Sequence, residues 1–380
     1  MLFSDIKNIL TDAKIVGKLP KKTIKYITDH SNEVNQNTLL VVDKYKKFKL
    51  SYLNEAISKN LKIIITNRYY NHINLVQVIV KNLDKQVLKL IKYRQPFKPK
   101  KSIAITGTNG KTSTAWFLAQ ICKINKVHTK LTGTIGYFQD LKKVKESKLT
   151  TPNNLDLYQF SYSHIKNKFH LISEASSHGL HQGRFNDFSI DIAAITNLSH
   201  DHLDYHKNYI SYVKSKLILF HKILKINGTA IINSRLKNYK SLLKKLQTRN
   251  IKVITFGSKD VFFTNGKNLN LSVFKKNYKI KNLKVNKVQK ENLECAISCA
   301  LAMGISIRKI LNSLNKLKAA PGRFEIISYK KKTSSIIIDY AHTPEALKNL
   351  LKSYTQNKVK PSIVFGCGGN RDKSKRKKWQ

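Results

Sequence analysis

The chain has 380 residues, of which 41% are hydrophobic, enough to bury a large core and to form more than one domain. Lys and Arg number 71 against 22 Asp and Glu, a formal net charge of +49, but the basic residues run from end to end. They form no single arm and no stripe interleaved with aromatics, so no specific nucleic-acid partner is expected, only weak adhesion to RNA or anionic membrane.

Residues 1–98 read as a small α/β domain. Thr38–Val42 and Lys62–Thr66 have the apolar, β-branched character of strands, with a helix at Leu53–Ser58 between them. The N-terminal MLFSDIKNILTDAK lacks the apolar block of a signal peptide, and no apolar run is long enough to cross a bilayer. A cytoplasmic protein without membrane attachment is expected. The polar, Pro-containing Lys92–Lys100 reads as a linker.

Ser102–Trp116, SIAITGTNGKTSTAW, is the most informative stretch. A buried strand (Ile103–Ile105) meets Gly107, turns through Thr108, Asn109 and Gly110, and enters a helix at Lys111 and Thr112. Such a loop aims backbone N–H groups and the positive end of a helix dipole at one spot, which suits phosphate. Lys111 would reach the β/γ-phosphates, and the Thr112 hydroxyl would bind Mg²⁺. The spacing departs from the strict P-loop, because Ile105 stands where its first glycine belongs.

Beyond this loop strands and helices alternate. Val127–Leu131, Phe169–Ser173, Asp191–Asn197, Gly228–Asn233 and Lys252–Phe256 are strand-like, and helical patterns lie at Asn208–Leu224 and Glu291–Met303. Alternation of this kind predicts an α/β fold with a largely parallel sheet, whose ligands gather at the carboxyl ends of the strands. Glu174 follows one strand, in EASSHG, and is either a Mg²⁺ ligand or water-positioner, or a solvated loop acid. Gln182 and Arg184 come soon after, and Arg is a natural partner for a carboxylate or phosphate. His200–His206, HDHLDYH, nearly spells the HxHxDH run of two-zinc hydrolases, but Tyr205 separates Asp204 from His206, and loop-capping histidines are the better reading. Lys214 and Lys216 lie in the next helix, unremarkable by composition. The cysteines Cys122, Cys295, Cys299 and Cys367 form no CxxC pair, so neither a zinc site nor a disulfide framework is implied; Cys295 and Cys299 read as core thiols. Asn292 opens an apolar helix that Ala320–Glu325 (APGRFE) breaks like a hinge. A strand, SSIIIDYAH, then carries Asp339 and His342, Pro344 starts a helix, and Ser362–Phe365 reads as one more strand before the glycine motif at Gly366.

Taken together, GTNGKT, TTP (Thr150–Pro152), EASSHGL, TNLSHDHLDYH, APGRFE, DYAHTPEAL and GCGGNRDKSKR resemble the motifs of the Mur ligases, in the family's order, from about residue 100 to the end. The nearest resemblance is to the members that add the third amino acid of the peptidoglycan stem. The resemblance implies a three-domain architecture. Residues 1–98 would be a UDP-sugar-binding-type domain, 99–326 a central ATP-binding domain on a P-loop-like parallel sheet, and 327–380 the start of a Rossmann-like amino-acid-binding domain that is cut short. It implies that ATP binds Gly107, Thr108, Asn109, Gly110, Lys111 and Thr112, with Asn292, Arg323 and Asp339 around adenosine. Mg²⁺ would be held by Thr112, Glu174, His202 and a carbamylated Lys216, with Lys111, Lys216, Glu174 and His202 as the catalytic set. UDP-MurNAc-L-Ala-D-Glu would meet Ser31, Thr150, Thr151, Ser176, Gln182 and Arg184, and Arg376 would contact the added amino acid.

The implied activity is ATP-dependent addition of meso-diaminopimelate to UDP-MurNAc-L-Ala-D-Glu through an acyl phosphate, by a monomer. Three departures stand beside it. The family's DSR-x-V appears only as His30–Val34 (HSNEV), with Asn37 at its usual Gly; Asn-x-x-Asn appears as Gln289-x-x-Asn292; and the motif that selects diaminopimelate does not occur in the sequence. A nucleotide-binding remnant without turnover, and a related ligase adding another amino acid, therefore stay open as alternatives. A folylpolyglutamate-type ligase shares the loop, but TNLSHDHLDYH and EASSHGL fit it less well.

Overall fold

The computed structural model describes residues 1–380 except 44–48, 72, 238, 266–268, 284, 286, 330–333, 342–345, 349, 352–360, 365 and 367–380. Two compact units emerge: residues 1–99 with 153–167, and residues 100–152 with 168–380.

The first unit is built on a five-stranded sheet in the order Lys14–Val16, Val76–Ile79, Ile63–Thr66, Thr38–Val42, Tyr26–Thr28, antiparallel only at the first pair. The two strands expected from sequence are its centre. Every residue of Thr38–Val42 and Ile63–Thr66 is buried, which is why both read as unbroken apolar runs. The helix between them spans Leu50–Ser58 and buries Leu53 and Ala56. The expected linker begins later than its composition suggests. Leu83–Arg94 is a helix that buries Val87, Leu88, Leu90 and Ile91 and carries Lys92 and Arg94 in its last turn, where cations suit the dipole. A helix from far along the chain, Asn154–Ser161, completes this unit. The Asn153 side chain caps it by accepting from Asp156 N, and Gln159 Nε2 donates to Ile27 O at 2.9 Å.

The second unit carries an eleven-stranded sheet. Its centre is six parallel strands in the spatial order Lys252–Phe256, Leu224–Asn233, Ile190–Ile195, Ser102–Thr106, Phe169–Glu174, His128–Gly133. On one side Gly136–Gln139 and Lys142–Lys145 continue it antiparallel. On the other side Val261–Asn265 pairs parallel with the centre, and Leu269–Val273 and Lys276–Lys279 follow antiparallel. After Ser102–Thr106 the chain first builds the strands on one side of it, then crosses to build those on the other. This reversal is a topological switch point, and in doubly wound sheets it opens a crevice beyond the carboxyl ends of the strands. The helices Lys111–Ile124 and Lys287–Met303 pack on each other over this sheet, and Cys122, Cys295 and Cys299 are free buried thiols of that core.

The helix expected at Asn208–Leu224 divides into an α-helix, Tyr209–Ile218, and a π-helical turn, Leu219–Ile223, leading directly into Leu224–Asn233. Residues of the last segment form an antiparallel pair, Glu325–Tyr329 with Ser334–Ile338. Ser362, Ile363 and Val364 have no regular structure, because no strand among the described residues lies beside them. His342, Pro344, Phe365, Cys367 and Arg376 fall outside the described residues.

Candidate active site

The loop after Ser102–Thr106 is held open by two glycines. Gly107 has φ +140° and Gly110 φ +84°, both in the range that L side chains avoid. A Cβ would also overlap Thr196 Oγ1 at the first and Asn292 Oδ1 at the second, so the expected Asn292 does abut the loop. Gly110 is the N-cap of Lys111–Ile124 and offers no side-chain cap, leaving the first-turn N–H groups for a ligand.

Residues of the neighbouring strand lock the loop. Asn109 N donates to Asn197 Oδ1 at 2.9 Å, and Asn109 O accepts from Thr196 Oγ1 at 2.6 Å and Asn197 Nδ2 at 3.1 Å. Thr108 Oγ1 accepts from Ser199 N at 3.0 Å and lies 2.8 Å from Tyr212 Oη. Lys111 Nζ folds back onto Gly107 O at 2.9 Å and Thr108 O at 2.8 Å. Lys216 Nζ, buried, donates to the same Gly107 O at 2.8 Å. Two amines thus converge on one carbonyl. Burial first, and Lys111 next, push the Lys216 pKa well below its ordinary value, which favours a neutral amine.

Glu174 ends the adjacent strand and is buried. Its Oε2 accepts from Thr112 Oγ1 at 2.9 Å and Thr134 Oγ1 at 3.1 Å, and its Oε1 accepts from Thr134 N at 2.9 Å. Burial raises its pKa, while Lys111, these hydrogen bonds and Arg323 oppose the rise.

Five of the six residues expected to meet the sugar-peptide, Thr150, Thr151, Ser176, Gln182 and Arg184, are linked through Thr134 and Glu174; the sixth, Ser31, is in the first unit. Thr151 Oγ1 donates to Glu174 O at 2.9 Å and accepts from Ser176 N at 2.8 Å. Arg184 Nη1 donates to Thr151 O, and its Nε and Nη2 donate to Gln182 Oε1 at 3.1 and 2.6 Å. Gln182 Nε2 in turn donates to Tyr205 Oη at 3.2 Å. Thr150 Oγ1 is 3.2 Å from Thr134 Oγ1.

His202 has φ +52°, its N donates to Asp201 Oδ1, and its Nε2 lies 3.4 Å from Asp201 Oδ2. Burial lowers its pKa to about 4, with Lys111 and Lys216 adding to the effect and Asp201 opposing it. The ring of His178 stands edge-on to it at 4.7 Å. Among the described residues no three His, Cys, Asp or Glu side chains are grouped to hold a metal.

Arg323 packs over the Tyr340 ring at 4.1 Å, and its carbonyl accepts from Gln289 Nε2 at 2.8 Å. Asp339 Oδ2 accepts from Phe324 N at 2.8 Å. Ser31, in the first unit, donates to Glu55 Oε2 at 2.8 Å. Four residues that sequence reasoning passed over, Thr134, Thr196, Asn197 and Tyr212, hold the loop or the carboxylate. The first three stand at or just past the carboxyl ends of parallel strands, and that position was the available signal.

The Mur ligase middle domain matches residues 105–302, and the Mur ligase glutamate ligase domain matches residues 322–380. A relative from Rickettsia conorii, named UDP-N-acetylmuramoyl-L-alanyl-D-glutamate--2,6-diaminopimelate ligase, is 35% identical over 86% of this chain and 70% of its own length. The chain belongs to the Mur ligase family. A ligase of the same name from Alkaliphilus oremlandii is 32% identical over 96% of this chain and 76% of its own length. A solved structure titled with that enzyme name is 26% identical, with a TM-score of 0.70, over 100% of this chain and 79% of that one. As a Mur ligase the chain is an ATP-dependent acid–amino-acid ligase of peptidoglycan synthesis, and its α/β fold is the family's.

Proposed function

We propose that this Mur ligase joins meso-diaminopimelate to UDP-MurNAc-L-Ala-D-Glu, acting in the cytoplasm as a monomer. The observation that carries the reading is the position of Glu174. Its side chain meets the nucleotide-loop hydroxyl Thr112, and its main-chain oxygen meets Thr151 of the substrate group. A phosphoryl donor at the loop and a carboxylate acceptor at Thr150–Arg184 would therefore face each other across one strand end.

In the first step an oxygen of the D-Glu carboxylate attacks the γ-phosphorus, and the bond to the β-phosphate oxygen breaks to release ADP. Both reactants are anions, so repulsion dominates the barrier. Lys111 would leave the loop carbonyls for the phosphates and offset it. In the second step the amine attacks the acyl carbon, inorganic phosphate leaves with the bonding pair, and the nitrogen loses a proton to give the amide.

A buried carboxylate beside a hydroxyl offers oxygen donors that fit a hard cation such as Mg²⁺. Thr112, Glu174, His202 and Lys216 would hold it, and bound Mg²⁺ supplies charge neutralisation on the phosphates. Burial lowers the Lys216 pKa, and its amine when neutral is the form that would add CO₂, the N–C bond forming as one C=O π pair moves to oxygen and the nitrogen loses a proton; the carbamate would supply the missing anionic oxygen. Around the base we assign Asn292, Arg323 and Asp339, and to the uracil end Ser31. A second reading, nucleotide binding without turnover, is favoured by Ser31, whose hydroxyl is already engaged by Glu55.

The test is calorimetric titration of the chain with a non-hydrolysable ATP analogue and Mg²⁺, then with UDP-MurNAc-L-Ala-D-Glu, followed by phosphate release on adding meso-diaminopimelate. Binding of both ligands with release supports ligation. Nucleotide binding alone supports the second reading, and binding of neither overturns both.

A further inference from the structure

Asn233 ends the strand Leu224–Asn233, which lies beside Ile190–Ile195 in the sheet, and its side chain is buried. Its Nδ2 donates to Thr196 O at 2.7 Å and to Glu291 Oε1 at 2.5 Å, and its Oδ1 accepts from Arg235 N at 2.9 Å. The two backbone partners fix the orientation of the amide, because a carbonyl can only accept and an N–H can only donate. Both amide protons are therefore committed within the protein, and the residue acts through its partners.

Those partners belong to two different parts of the nucleotide site. Thr196 closes on the phosphate loop: its Oγ1 donates to Asn109 O at 2.6 Å, and a Cβ at Gly107 would overlap it. Glu291 lies in the first turns of the helix Lys287–Met303, one residue before Asn292. From the same turns Gln289 Nε2 donates to Arg323 O at 2.8 Å. The start of this helix thus bears Asn292 and supports the backbone of Arg323, and Asn233 ties it to the strand end that holds the loop.

We propose that Asn233 is a positioning residue that sets the spacing between the phosphate loop and the base-side residues Asn292 and Arg323. This inference rests on the ligase reading above, which assigns those two residues to the base. When Asn233 is removed the loop keeps its own bonds from Thr196 Oγ1 and Asn197 Nδ2 to Asn109 O, so loss of the tie falls on the base and spares the phosphates.

The test is calorimetric titration of the full chain, with Mg²⁺, by a non-hydrolysable ATP analogue and separately by inorganic tripolyphosphate, which has phosphates and no base. Asn233→Ala and Glu291→Ala should each weaken the analogue on the order of tenfold and leave tripolyphosphate within about twofold of wild type, and the double variant should lose little more than the larger single. Glu291→Gln, whose amide oxygen still accepts from Asn233, should bind the analogue within about threefold of wild type. Arg235→Ala, which removes an ion pair at 3.3 Å from the same Oε1 and leaves the tie, should do so too. Analogue affinity unchanged in Asn233→Ala, tripolyphosphate weakened there as much as the analogue, or losses that multiply in the double variant overturns the tie and leaves the ligase reading intact. A wild-type chain that binds tripolyphosphate as tightly as the analogue overturns the assignment of Asn292 and Arg323 to the base, and the tie with it. If Asn233→Ala does not fold, Glu291→Ala, at a half-buried position, carries the comparison against Glu291→Gln and Arg235→Ala. Equal losses in Glu291→Ala and Arg235→Ala overturn the tie.

Discussion

At the scale of single residues, charge and burial carry the argument. Lys111 is half-buried and electrostatically attracted to Glu174, and among the described residues its ammonium hydrogen-bonds only to the loop carbonyls of Gly107 and Thr108. Lys111→Ala should weaken Mg²⁺–nucleotide binding by roughly tenfold to a hundredfold, the range for charge-assisted hydrogen bonds, while the melting temperature stays close to wild type. Calorimetry and a thermal melt on the same preparation check both halves. Glu294 is a second buried acid, away from the loop. Its Oε1 accepts from Phe263 N at 2.7 Å, its Oε2 has no hydrogen bond among the described residues, and Arg235 Nη1 is 4.0 Å from Oε2. Burial raises its pKa to about 7, with Glu291 adding and Arg235 opposing. Because the folded value lies above the ordinary glutamate value of 4.5, its contribution to stability is full below about pH 4.5 and is lost as pH rises through about 7. Wild-type chain should therefore lose on the order of 1–2 kcal/mol of stability between about pH 5 and about pH 8, and Glu294→Gln should flatten the profile. Denaturant melts across that range read the difference.

At the scale of elements, sequence pattern and structure part company at the sheet edges. The central strands are buried on both faces and announce themselves as apolar runs. The outer strands do not. Lys142–Lys145 is KKVK, exposed at every position, and Lys276–Lys279 is KNYK; each is recognised only once its neighbour is in place. Their lysines also guard the two open edges, where unpaired N–H and C=O groups would otherwise template another chain. Replacing Lys142, Lys143 and Lys145 together by Thr should leave the strand paired and promote self-association, visible as concentration-dependent light scattering. The strand-end turn at Gly133 is the opposite case, a position where one methyl matters. Gly133→Ala drives a Cβ into Glu174 Oε1. It should cost about 1–3 kcal/mol of stability and weaken Mg²⁺–nucleotide binding by displacing the carboxylate.

At the scale of the whole molecule, the charge of +49 is the dominant feature. Self-repulsion on this scale destabilises any compact state and is screened by salt, with a Debye length of about 8 Å at physiological ionic strength. Melting temperature should rise by roughly 2–5 °C between low and moderate salt, and adhesion to RNA should fall over the same range. A melting temperature that drops with salt would mean that local ion pairs outweigh the net repulsion. Among the described residues no helix is long and apolar enough to cross a membrane.

The sequence alone determined the parallel centre of the sheet, the phosphate-type loop and the family, because each is written in contiguous residues: an apolar run, a glycine turn, an ordered set of motifs. Tertiary structure decided what lies beside what. That helix Asn154–Ser161 completes the first unit, that two lysines 105 positions apart meet on Gly107 O, and that Thr134 grips both oxygens of Glu174 depend on strand order and crossover. A hydrogen bond acts over about 3 Å in space, and local sequence pattern does not say which distant residues will close to that distance.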